Sequence, residues 1–405
     1  MEILNNVIIY IMVFFMVLGA IDRMLDQFGG SEKVLGKFGL GFIGRGIAGA
    51  GAEFEAGFGA MGPVALGMVG VIVLTPVLGR LLGPAVIPIY EMLGADPSMF
   101  AGTILANDMG GFFLSRELTT DAAAGLYSGG ILASMLGVTV SFTIPVGFSL
   151  ISKEDRPFFA QGVLIGLVTI PIGCIVGGLV AMNSDIVMPN GEAAVFSMKT
   201  VLVNMIPVIL FSAIIGAGLK LFPETMVKIF NGFAKFLVVI ITIGLAAAVI
   251  ERLTGFVVIP GMDPMFMVEG DVPGVDMRAM EVIGAIGILL LGAYPMVLLF
   301  TRWFKKPLMA VAGVFGIDAE AAVGMIGALA NILLMIQAMS KMSKRGKVIA
   351  MSFSVSAAWS LGDHLGFTAA NKPDMIFAMV AAKLVAGVTA MLLAMWMVRH
   401  WKKDE

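Results

Sequence analysis

The chain has 405 residues, of which 59% are hydrophobic and only 13% carry charge, and its mean hydropathy is +0.99. Soluble domains carry nearer a quarter charged residues, so a soluble enzyme or binding module is excluded. A net charge of −2 gives no reason to expect a nucleic-acid partner, and two histidines with the single Cys174 leave no internal disulfide and no typical structural zinc site.

A helix needs about 20 apolar residues to cross hydrocarbon. Runs with few or no charges occur at 3–21, 56–79, 122–151, 157–184, 200–219, 236–250, 282–301, 348–369 and 375–398, which gives nine predicted crossings. The first run has no basic N-terminal flank and no A-x-A-like site after it, so it reads as a span rather than a cleaved signal. Two further apolar stretches, 84–115 and 308–340, carry charges and helix breakers near their middles: Gly94-Ala-Asp-Pro97 and Gly316-Ile-Asp318. Each is either a re-entrant hairpin or a full crossing, the second reading giving about eleven spans. If both are hairpins, 19 of the 26 Lys and Arg fall on one side and 6 on the other, with Lys383 inside a span. The positive-inside rule then puts the N-terminus outside and the C-terminus in the cytoplasm. The expected fold class is an all-α polytopic membrane protein.

An internal repeat accompanies this pattern. Ala60, Gly62 and Gly67 align with Ala285, Gly287 and Gly292; Gly94, Asp96 and Gly102 align with Gly316, Asp318 and Gly324; Ser141 aligns with Ser360. The halves, 1–184 and 185–405, would have opposite topology, a recurring transporter plan in which broken helices meet near the midplane. Pro145 in one copy, and Gly362 with Gly366 in the other, predict breaks at 141–148 and 360–367.

Five stretches carry a family resemblance: Ile87-PIYEMLGADPSMFAG-Thr103, Ala106-NDMGGFF-Leu114, Ala160-QGVLIGLVTIPIGCI-Val176, Leu291-GAYPMV-Leu298 and Ser360-LGDHLGF-Thr368. Over essentially its whole length the chain resembles the ethanolamine permeases of bacterial ethanolamine-utilisation operons. Ala330-Asn-Ile-Leu-Leu-Met335 departs from that family's Asn-Asn-Ile-Pro pattern, which puts the helix break expected there in doubt. The resemblance implies uptake of ethanolamine across the bacterial inner membrane, feeding a cobalamin-dependent lyase in a microcompartment. It implies no cofactor. Coupling to Na⁺, to H⁺ or to no ion stays open, as does a homo-oligomer.

Ethanolamine at neutral pH is mostly a primary ammonium beside a hydroxyl. Its site needs a carboxylate or an aromatic face for the cation and an amide or hydroxyl for the alcohol. Ionisable residues inside a membrane mark pathways by default, and here they are Asp108, Asp363, His364 and Lys383. Asp108 reads as a cation anchor or as a cap near Arg116. Asp363 reads as the substrate counter-ion, as an ion ligand, or as the partner of Lys383 in a structural bridge. His364 either titrates, bonds substrate, orients Asp363 or is a satisfied core histidine. Asn107, Asn331 and Asn371 offer amides for a hydroxyl or for Na⁺, or they bond between helices. Glu91 belongs to the pathway or to the interface, and Glu53 and Glu55 are expected at the headgroups. Tyr90, Phe112 and Trp359 either stack on the ammonium or pack.

Two other classes stay in competition. One is an ion-coupled transporter of another small polar solute. The other is an intramembrane hydrolase or sensor around Ser360 and His364, although their spacing is not a triad. No G-x-x-x-x-G-K-[ST] pattern occurs, which argues against direct ATP hydrolysis.

Overall fold

The computed structural model describes residues 2–188, 191–272 and 277–401. Its secondary structure runs as α1 (Glu2–Asp26), α2 (Ser31–Gly36), α3 (Gly41–Ile47), α4 (Ala50–Gly59), α5 (Met61–Met92), α6 (Ser98–Ile104), α7 (Gly111–Leu118) and α8 (Ala122–Leu150). It continues with α9 (Arg156–Met182), α10 (Met198–Leu221), α11 (Pro223–Thr254), α12 (Ala279–Val314), α13 (Ala319–Ala330), α14 (Ile332–Ala338), α15 (Lys344–Ala357), α16 (Asp363–Asn371) and α17 (Ile376–Met397). Polar side chains start many of these helices. Asp121, Ser197, Asp318, Asn331 and Ser343 each accept a backbone N–H from the first turn that follows.

Eight helical runs are long and apolar enough to cross a membrane: α1, the α3–α5 run, α8, α9, α10, α11, α12 and α17 with the short turn before it. A ninth crossing is assembled from α15 and α16 around an unwound segment, 358–362. The ends of this crossing lie on opposite faces. At one, Lys347 meets Asp155 at 2.5 Å beside the start of α9. At the other, Lys372 bonds Val187 O just beyond the end of α9.

The face that holds the start of α1 is termed the N-face, and the opposite one the C-face. On the N-face, Asn5 bonds Asp374 O and the amide of Phe377. There too Arg80 donates to Gly261 O, which ties the segment after α11 to α5. On the C-face, Arg302 donates to Ala48 O at 2.7 Å, and Asp22 accepts from Gly51 N at 2.8 Å. Nine crossings therefore put the start of α1 and the end of α17 on opposite faces, as nine hydropathy runs require.

Both doubtful stretches contain hairpins that return to the face they left. In the first, Ser115 near the end of α7 donates to Ser98 O at the start of α6, at 3.3 Å. Asp96 clamps its base, accepting from Ser98 N, Thr119 Oγ1, Thr120 N, Thr120 Oγ1 and Asp121 N. In the second, α13 and α14 pack against each other. Asp318 holds that base, accepting from Ala321 N at 2.9 Å and Ser343 Oγ at 2.6 Å.

Three expectations need correction. The Gly94–Pro97 turn is not mid-hairpin: it lies at the base on the N-face, and the chain reverses at Leu105–Gly110. Likewise Gly316–Asp318 is the base of the second hairpin, which reverses at Asn331, so the helix does stop there without the missing proline. Finally, α8 does not break at Pro145. Residues 128–137 and 139–143 wind as π-helix, and Pro145 sits in the first turn of the α-helical segment that follows, where its missing N–H costs little.

Asp96→Ala leaves the buried Ser98 N and several part-buried donors at the hairpin base without their acceptor. It should destabilise the detergent-solubilised protein by about 3 kcal/mol, and more than Asp318→Ala does. Equal and small shifts in thermal unfolding would show that the hairpin base is held by packing instead.

Candidate cation site

The first hairpin reverses through an extended Leu105 and Ala106, then one 3₁₀ turn, Asn107–Met109. Gly110 follows with φ +91°, and a Cβ there would collide with Val71. Ala106 N donates to Ser141 Oγ of α8 at 3.2 Å, which seats the tip on that helix. This turn holds Asn107 and Asp108 inside the bundle.

The second half meets the tip with its unwound segment. Trp359 N donates to Ala328 O, and Leu361 N to Leu329 O, each at 2.9 Å. These carbonyls come from the last turn of α13, where a helix leaves acceptors unpaired. Gly362 lies so close to Ala330 O that a side chain has no room. Trp359 takes φ +59°, a conformation that non-glycine residues rarely adopt, and its ring stacks on His364 at 5.3 Å.

Four ionisable residues converge here. His364 Nε2 lies 3.8 Å from Asp108 Oδ1. Lys383 Nζ, on α17, lies 3.1 Å from His364 Nδ1 and 2.5 Å from Ser134 O of the π-wound helix. Lys383 and His364 are buried, at 0% and 1% exposure, whereas the Asp108 side chain keeps 27%. Asp363 opens α16 and accepts from the Tyr294 hydroxyl of α12 at 3.3 Å. The bridge between Asp363 and Lys383 is not formed, because the amine is turned towards His364 and Ser134.

Asn107 is fully buried, and neither its amide nitrogen nor its amide oxygen has a partner among the described residues. The Thr368 hydroxyl, one turn beyond His364, is also buried and unpartnered. Such groups are costly unless something binds them.

The other candidates lie elsewhere. Asn331 caps α14 through Leu333 N and lines a cavity on its way to the C-face. Asn371 donates to Phe367 O and lines an N-face pocket with Arg116 and Lys372. Glu91 lines a different N-face pocket with Asp96, Asp121 and Lys199. Tyr90 packs edge-on against Phe100, away from the centre.

A cavity of about 850 Å³ separates α12 from the second hairpin, lined by Glu53, Tyr294, Arg302, Lys305, Asn331 and Gly362. It connects the C-face level of Arg302 with Tyr294, the partner of Asp363. From the N-face, two pockets of about 270 and 300 Å³ share Phe113 and Arg116. Phe112, Phe113 and Phe367 close the space behind them, with ring centroids 5.4 to 6.3 Å apart. Tyr294 and Thr368, both uncharged, were passed over by sequence reasoning, and Glu53, expected at the headgroups, lines the cavity.

The fold and its centre define a polytopic α-helical membrane protein with two hairpins that meet a broken helix around buried ionisable groups. Residues 4–397 match the model of the family described as ethanolamine utilisation protein, EutH, and the chain belongs to that family. It is 57% identical to the "probable ethanolamine permease EutH" of Escherichia coli (strain K12), over 98% of this chain and 96% of that protein. It is 46% identical to the protein of the same name from Listeria monocytogenes serotype 1/2a (strain 10403S), over 99% and 96%. A third relative, "uncharacterized protein YxeR" of Bacillus subtilis (strain 168), is 40% identical over 97% and 95%. No solved structure matches the chain.

The geometry assigns the electrostatic partner of Lys383. A double-mutant cycle on stability with Asp363→Asn and Lys383→Met should give a coupling near zero. The cycle with Asp108→Asn and Lys383→Met should give about 1 kcal/mol or more. The reverse order would restore the direct Asp363–Lys383 bridge.

Proposed function

We propose that the protein carries ethanolamine, as ethanolammonium, across the bacterial inner membrane, and that Asp108, Asp363, His364 and Asn107 form its binding site. The observation that carries this reading is a pair of carboxylates at the buried centre, Asp108 and Asp363, neither of them paired directly with Lys383, whose amine is bonded to Ser134 O and His364 Nδ1 instead. Such carboxylates are the acceptors that a primary ammonium needs. The unpartnered Asn107 amide is the acceptor or donor that a hydroxyl beside the ammonium needs. The names of the Escherichia coli and Listeria relatives support the same substrate.

The N-face is the outer one in this reading, by the distribution of Lys and Arg. The halves 1–184 and 185–405 form an inverted repeat, supported by Asp96 and Asp318, which align in sequence and each hold the base of a hairpin. The cavity that reaches Tyr294 is the inner path, and the Phe112–Phe113–Phe367 cluster closes the outer one. Asn331 lines that path; Asn371 and Glu91 serve the outer mouth or the fold.

Labelled-ethanolamine flux into proteoliposomes tests the substrate. Asp108→Asn and Asp363→Asn should each lower apparent affinity ten- to hundredfold, since a charge-assisted hydrogen bond contributes about 1.5–3 kcal/mol. Asn107→Ala should weaken competition by ethanolamine but not by ethylamine, which lacks the hydroxyl. Protein-containing vesicles that fill no faster than empty ones would refute the proposal. Orientation has its own test. Single cysteines at Lys305 and Lys344, in a Cys174→Ala background, should resist an impermeant thiol reagent in intact cells. Labelling of both would reverse the assigned sides.

A further inference from the structure

We infer that Lys383 and the substrate ammonium compete for Asp108, so that each ethanolammonium bound releases one proton from Lys383 through His364. This rests on the binding site proposed above and goes beyond it, because it fixes how the site balances charge during uptake.

The argument starts from what holds the lysine. Its amine is at 0% exposure, and its two bonded partners, Ser134 O and His364 Nδ1, are both neutral when the imidazole is neutral. Among the described residues no carboxylate forms an ion pair with it. A buried ammonium with neutral partners alone is unfavourable. The acid that supports it is Asp108, reached across the imidazole ring, with Nε2 at 3.8 Å from Oδ1. An ammonium that donates to Nδ1 makes that nitrogen the acceptor, so the ring proton sits on Nε2 and points to Asp108. The three groups thus form a line: amine, ring, carboxylate.

The surroundings offer no second support. Asp363, beside His364 in sequence, is engaged by Tyr294. Tyr294 in turn faces the cavity that contains Glu53. Along α8 and α9, which pack against α17, the titratable groups of the interior are Tyr127 and Cys174, both buried. Neither is bonded to Lys383. On α15, Lys347 is held by Asp155 at the C-face.

A second cation brought to Asp108 takes away the charge that keeps Lys383 protonated. The transfer then balances atom by atom. The proton on Lys383 Nζ passes to His364 Nδ1, and the Nε2 proton passes to Asp108 Oδ1. It leaves that oxygen for solvent, and the carboxylate regained holds the substrate ammonium. The amine is left neutral, still bonded to Ser134 O. The 3.8 Å gap is too long for a hydrogen bond, so its closure is the movement that this step requires. When the substrate leaves, the lysine takes a proton back and restores the starting charge. Net movement per cycle is one neutral amine.

The test is binding of ethanolamine to the purified full-length protein in weak buffer with a pH indicator, over a range in which ethanolamine stays protonated. The wild type should release about one proton per molecule bound. Its affinity should tighten with rising pH, by at most about tenfold per unit, as one linked proton dictates. Lys383→Met should bind with no release and no pH dependence. Lys383→Arg keeps a charge that cannot be given up. It should fold and bind weakly at every pH, which guards against a Met variant that fails to fold. Uptake by the wild type with no proton released would overturn the inference and leave the transport reading standing. A release that survives in Lys383→Met, or wild-type affinity in Lys383→Arg, would also overturn it. A protein that binds no ethanolamine overturns both.

Discussion

Backbone polar groups at membrane depth have no water to turn to, and the centre of this protein is built around that fact. The unwound segment 358–362 sheds helical hydrogen bonds in the bundle interior. Trp359 N and Leu361 N recover theirs from Ala328 O and Leu329 O, the carbonyls that α13 leaves open at its end. A broken crossing and a stopped hairpin therefore complete each other, and neither could occupy its place alone. The first hairpin solves the same problem with Gly111 N on Ala106 O and Ala106 N on Ser141 Oγ. The backbone around both reversals is thus bonded, while the Asn107 side chain is left open at the tip.

The two halves meet this constraint differently. Where the second half opens its crossing at 358–362, the first widens α8 into π-helix without interrupting it. Non-standard winding of this kind is frequent at functional sites. Here it brings Ser134 O to the Lys383 amine. Three of the four ionisable groups, Asp363, His364 and Lys383, then come from the second half, and Asp108 alone comes from the first. Such an arrangement ties the first hairpin to the opposite half by charge. A shift of that hairpin changes the distance from Asp108 to His364, so geometry and protonation are linked at one contact.

How far the sequence disclosed this depended on the kind of signal. Hydropathy alone marked the nine crossings, because the length of an apolar run is set by the membrane. The Lys and Arg distribution favoured hairpins for the two remaining stretches but left the eleven-span reading open. The hairpin tips were misplaced, since Gly94–Pro97 and Gly316–Asp318 look like mid-membrane breaks. A Gly-x-Asp turn reads the same at a membrane surface as at its centre. Asp96 and Asp318 were visible as an aligned pair, but their role as clamps needed the Thr119, Thr120 and Ser343 partners. Pro145 misled because a proline in the first turn of a helical segment breaks nothing. Chain proximity made Asp363 one candidate partner of Lys383, whereas α17 turns the amine to His364. Tyr294 drew no attention, because an uncharged residue in an apolar run carries no hydropathy signal.

In the proposed site the lysine also accounts for selectivity. A bare alkali cation and a primary ammonium carry the same charge, but the ammonium has three N–H donors that need separate acceptors. The Lys383 amine is itself a primary ammonium when charged, and a carbonyl and an imidazole take two of its three donors here. The acceptors of the proposed site, Asp108, Asp363 and the Asn107 amide oxygen, form a second such set, with no amine of the described residues bonded to them. Dispersed acceptors of this sort suit directional donors better than a compact ion, which needs about six or more oxygens drawn tightly around it. A site that must exchange one ammonium for another is therefore best lined by groups already arranged for the first. On the proposed reading, that is the physical reason for a lysine, a residue so costly at this depth, to sit beside the place assigned to the substrate amine.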